Sequence, residues 1–157
     1  MAQLGGRFVK LKPNLEIEKE FIQTFIIKNR RDRFIWELST PRKRESRLWD
    51  FHRLQEYLIP GMVFPVNYWR EEIIIKKLLE IEPNPQYIYI INEGYAGCTT
   101  LEELRQVKFV TTEDEFLIYF GNGLAYYQDG FEFYEKRHEY FLLDRRRQAD
   151  KQKLGLL

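Results

Sequence analysis

His52 and His138 are the only two histidines among 157 residues, and each has carboxylates nearby in the chain. Imidazole titrates near neutrality, so two histidines that meet could pass a proton as an acid–base pair, as in some ribonucleases. Glu56 follows His52 by four residues, which is one helical face; Glu135 and Glu139 flank His138. Nothing in the spacing brings the two histidines together, so each reads as an ordinary surface or boundary residue. A metal site needs three or four converging ligands. His52, Glu56, His138 and Cys98 contain one pair at ligand spacing, His52/Glu56, and no metal is expected. Cys98 precedes Thr99-Thr100 at a helix start, where a thiol can become nucleophilic, but a lone cysteine more often packs in an interior. The glycines of NEGYAGCTT and GNG lack the lysine of a phosphate loop, and GNG leads into a strand, so both read as turns. No catalytic residue and no cofactor are assigned, and a binding protein is favoured over an enzyme.

The elements that position these groups follow from patterning. Residues 28–53 carry nine Lys/Arg against four Asp/Glu, a net +5, whereas residues 54–143 carry seven against fifteen, a net −8. The whole chain is only +1. Within the basic stretch, Thr40-Pro41 reads as a helix start: threonine as the N-cap, proline at the first helical position. That helix is expected from Pro41 to about Leu58, with Leu48, Phe51, Leu54 and Leu58 on one face. Arg42, Lys43, Arg44 and Arg47 crowd its first turns, where the helix dipole disfavours cations. Something negative must offset them, either another element of the same fold or an external ligand.

Upstream, Asn14 reads as an N-cap, with Glu16, Glu18 and Glu20 at the favourable positive end. Phe21, Ile22, Phe25 and Ile26 make a helical stripe, and Phe34, Ile35 and Leu38 read as its last turns. Two helices or one bent near Asn29 both fit residues 14–38, and the continuous helix is preferred. A third helix is expected from Tyr68 to Glu82, capped by Asn67 and ended by Pro83-Asn84-Pro85. Beyond it the chain turns β-branched and aromatic. Strands are expected at 87–91, 107–111, 115–120, 124–127, 131–134 and 139–143, with a short helix opened by the Thr100/Glu103 capping box. Strand alternation is expected to leave some tyrosines facing outward.

The chain therefore reads as α+β: N-terminal helices packed on one face of a mainly antiparallel C-terminal sheet of four to six strands. Residues 1–143 form one domain, followed by a basic polar tail, 144–157. One cysteine cannot close an intrachain disulfide, the first residues lack a signal-peptide core, and no apolar run could span a bilayer; a soluble cytoplasmic protein is expected. The leading functional reading is a non-catalytic module that binds another protein, of a build suited to inhibitor or immunity proteins, through Arg42, Arg44, Arg47 and Trp49. Nucleic-acid binding through residues 28–53 is the alternative, and a hydrolase or nuclease using His52 or His138 the second.

Overall fold

The computed structural model describes residues 11–49, 51–67, 70–92, 94–110, 115–129 and 140–146. It is α+β. Three helices come first: α1 (Leu15–Phe25), α2 (Lys28–Ser39) and α3 (Pro41–Trp49). A 3-10 segment (Phe51–Tyr57) follows, then β1 (Val63–Pro65) and α4 (Glu71–Ile81). The remainder holds β2 (Tyr89–Asn92), β3 (Tyr95–Cys98), a short α5 (Leu101–Leu104), β4 (Phe116–Gly121), β5 (Leu124–Gln128) and β6 (Tyr140–Asp144). The strands form one six-stranded sheet in the order β1-β6-β5-β4-β2-β3, and every pairing is antiparallel.

Helices α1–α3 lie on one face of the sheet, as the pattern predicts. The other face is covered too, by α4, α5 and residues 107–110. Alternation along β4 shows the division: Leu117 and Tyr119 enter the first core, and Phe116, Ile118 and Phe120 the second. Double coverage explains why β4 and β5 are apolar at almost every position. It also buries Tyr89, Tyr119, Tyr126 and Tyr127, whereas Tyr87, Tyr95 and Tyr140 stay half-buried.

Several boundaries differ from the patterned expectation. Residues 14–38 form two helices. The break is at Ile26-Ile27, where Ile26 bridges Leu58 and the Ile27 amide donates to the Tyr57 carbonyl at 2.8 Å. Two β-branched residues accept this extended pairing readily. The helix from Pro41 stops at Trp49, and Leu54 reaches the core from the 3-10 segment Phe51–Tyr57, with Leu58 just beyond it. The third helix starts at Glu71, with Arg70 and not Asn67 as its N-cap. Residues 107–110 form a turn whose Val107, Phe109 and Val110 plug the second core, with Phe109 stacked on Phe116 at 4.6 Å. Tyr95–Cys98, read as loop, is instead an edge strand. Asn122-Gly123 makes the two-residue turn between β4 and β5, with φ of 53° and 75°, as an Asn-Gly hairpin requires. The strand expected at 131–134 lies outside the described residues, as do 147–157 of the tail.

Candidate functional site

The basic stretch folds into a tight corner in which only Thr40 separates α2 from α3. Pro41 opens α3 as anticipated. The Thr40 hydroxyl, however, faces backwards and donates to the Trp36 carbonyl at 2.7 Å, closing α2. The Thr40 carbonyl accepts the Lys43 and Arg44 amides, both at 2.9 Å, and so starts α3.

The corner divides the cations into two sets. On the inner side, Arg44 forms a bidentate pair with Glu18 of α1, with both N–O distances 2.6 Å, and also donates to the Leu38 carbonyl at 3.2 Å. The Glu18 side chain is 0% exposed. It also accepts from the Tyr89 hydroxyl, which in turn accepts from the Asn14 amide at 2.9 Å. Arg47 donates to Glu37 of α2 at 2.8 Å, and its guanidinium lies 4.4 Å above the Phe34 ring. Burial works against charge on Glu37, but hydrogen bonds from Arg33 and Arg47 outweigh it and hold the carboxyl below its usual range. The negative groups that offset the crowded helix start therefore include two from α1 and α2 themselves.

The outer side of the corner carries Arg42, Lys43, Trp36 and Trp49. Arg42 is exposed and makes no ion pair among the described residues. Trp36 is 49% exposed and lies between two cations, with the Arg33 guanidinium 5.7 Å and the Lys43 ammonium 6.0 Å from its ring. Trp49 is 52% exposed and rests on the turn between β2 and β3. A Cβ added at Gly94 would come within 2.7 Å of the Trp49 indole, and Gly94 holds φ of +89°. A bare backbone thus seats one side of the ring and fixes its direction.

Of the four residues singled out from sequence, Arg42 and Trp49 stand on the outer surface, and Arg44 and Arg47 hold α3 to α1 and α2. Trp36 and Lys43 complete the outer group and were missed. Helical phase could have found Trp36: with Phe34 and Leu38 turned inward, position 36 falls on the opposite side. His52 lies in the 3-10 segment with its side chain outside the description, and His138 falls in the undescribed 130–139. Cys98 is half-buried at the end of β3, where burial pushes its thiol pKa up, against use as a nucleophile. Among the described residues no group of three His, Cys, Asp or Glu side chains could hold a metal, and no helix is long and apolar enough to cross a membrane. Comparisons with protein-family models, curated proteins and solved structures find no match.

Proposed function

We propose that this chain is a non-catalytic cytoplasmic interaction module that binds an acidic protein through the outer side of the α2–α3 corner. The observation that carries this reading is a pair of half-exposed tryptophans on the side of the corner that also carries Arg42 and Lys43, neither of which makes an ion pair among the described residues. Tryptophan and arginine are the residue types that dominate protein-binding hot spots, and a ring already held in place loses little entropy on docking. Arg42, Lys43 and Arg33 would steer the acidic partner, while Trp36 and Trp49 anchor it.

A nucleic-acid ligand suits the same types of residue but fits their arrangement less well. Asp32 precedes Trp36 by four residues and Glu45 precedes Trp49 by four, and all four are exposed. Each ring therefore has a carboxylate on its own helical face, which a phosphate backbone would meet unfavourably. A folded partner can place its own cations against them.

The test uses the native chain, Trp36→Ala/Trp49→Ala and Arg42→Glu/Lys43→Glu as parallel baits, followed by affinity measurement on the purified partner. The partner should be acidic where it is contacted. Both variants should melt like the native chain and bind at least about 30-fold more weakly, since one hot-spot truncation costs about 2 kcal/mol or more. A partner that binds both variants as well as the native chain refutes this reading. Binding of a single-stranded oligonucleotide at physiological salt, lost in the same variants, would move the site to nucleic acid.

A further inference from the structure

A second region of the molecule has the features of a small-ligand site. A pocket of about 430 Å³ opens where β4 turns into β5, within the usual size range for small molecules. Helix α1 supplies Glu20 to its wall, the hairpin turn supplies Asn122 and Gly123, and the chain just after β6 supplies Arg145 and Arg146.

The two kinds of charge in this pocket are held differently. Glu20 is fixed from behind: the Tyr87 hydroxyl donates to one of its oxygens at 2.5 Å and the Tyr119 hydroxyl to the other. Each carboxylate oxygen has a second lone pair, so the group can still accept from a ligand. Arg146 is engaged, 3.3 Å from Glu82 and 3.8 Å from Asp144. Arg145 is different. Its backbone amide donates to the Gly123 carbonyl at 2.9 Å, yet its guanidinium forms no hydrogen bond or ion pair among the described residues. Gly123 makes this placement possible, because a Cβ there would meet the Arg145 Cβ at 3.0 Å in a backbone already at φ +75°.

A lone anion in this pocket would face the Glu20 carboxylate, and a lone amine would face two guanidinium groups. A ligand carrying both charges meets a partner for each. We infer that the pocket binds a small zwitterion of the free α-amino acid class, with its ammonium on Glu20 and its carboxylate on Arg145.

The experiment is calorimetric titration of the full chain with each common amino acid, with n-butylamine and inorganic phosphate as single-charge controls. One or a few amino acids should bind saturably, and both controls should bind at least about tenfold more weakly, a difference of about 1.4 kcal/mol. Arg145→Ala should lose at least as much while melting like the native chain, because its guanidinium contributes no ion pair to the described fold. Glu20→Gln, which keeps an acceptor for the tyrosines, should lose affinity for the amino acid and gain none for the amine. The inference is overturned if no amino acid binds at about 10 mM, if phosphate or amine binds equally well, or if Arg145→Ala binds unchanged.

Discussion

Arg42 and Arg44 stand two residues apart on a nine-residue helix and face opposite surroundings. Arg44 points inward to a fully buried carboxylate that also receives a tyrosine hydroxyl. Arg42 points outward and meets no carboxylate among the described residues. The inner pairs fasten α3 onto α1 and α2; Arg42, Lys43, Trp36 and Trp49 stay exposed on the outer side. About half a helix turn thus separates a cation that organises the fold from one that does not. Residue type carries none of this difference. It comes from which side of α3 meets α1, and that is set by the packing of Leu48, Phe34 and Leu38.

The contrast is broken most directly from the inside. Arg44→Ala leaves Glu18 buried without its cation, and urea unfolding should show a loss of about 3–5 kcal/mol. A loss below about 1 kcal/mol would mean that water reaches Glu18 and that the inner and outer cations are not distinct in kind.

The tyrosines sharpen the same point at high pH. Burial, then the Glu20 hydrogen bond, raises the Tyr87 pKa to about 12; burial, with Glu18 and Glu20 beside them, raises Tyr89 and Tyr119 as well. Their folded pKa values exceed the unfolded value of about 10, so their contribution is complete below that pH. It should be lost as pH rises from about 10 through 12, with the share of phenolate absorbance that belongs to these three tyrosines appearing together with unfolding. Ionisation of all ten tyrosines near pH 10 in a chain that is still folded would contradict the buried network.

Arg47→Ala should cost about 1–3 kcal/mol, less than Arg44→Ala, because Glu37 keeps Arg33. Glu37 has a lowered folded pKa, so its contribution is present above the ordinary carboxylate range and should be lost as pH falls through its folded value. In Arg47→Ala the acid limb of the stability profile should flatten. The smallest effect belongs to the outer side. Arg42→Ala and Trp36→Ala should each change stability by no more than about 0.5 kcal/mol in the same unfolding assay. A larger loss for either would assign it a part in the fold.

Much of the architecture is legible from local pattern. Pro41 opens a helix, Asn14 caps α1 by accepting the Ile17 amide at 3.1 Å, and Thr100 caps α5 by accepting the Glu103 amide at 3.1 Å. Each signal acts within four residues, where side chain and backbone meet whatever the rest of the chain does. The site was only half legible. Arg44 and Arg47 look no different from Arg42 in a run of cations, since their carboxylates lie 26 and 10 residues away. Pattern alone leaves the counterweight to this stretch open between another element of the same fold and an external ligand. For these two arginines the counterweight is Glu18 and Glu37, from within the helical half.

Composition and periodicity by themselves determined the α+β class, the division into a helical half and a strand half, and most of the turns. These depend on propensity and on chain neighbours a few residues apart. Tertiary structure alone decided that the sheet is covered on both faces, that Tyr89 and Tyr119 end on Glu18 and Glu20, and which arginines are left outward. Those outcomes depend on contacts between residues dozens of positions apart, such as Tyr119 and Glu20 at a separation of 99. No local pattern encodes such a meeting, because it exists only once the helices have docked on the sheet.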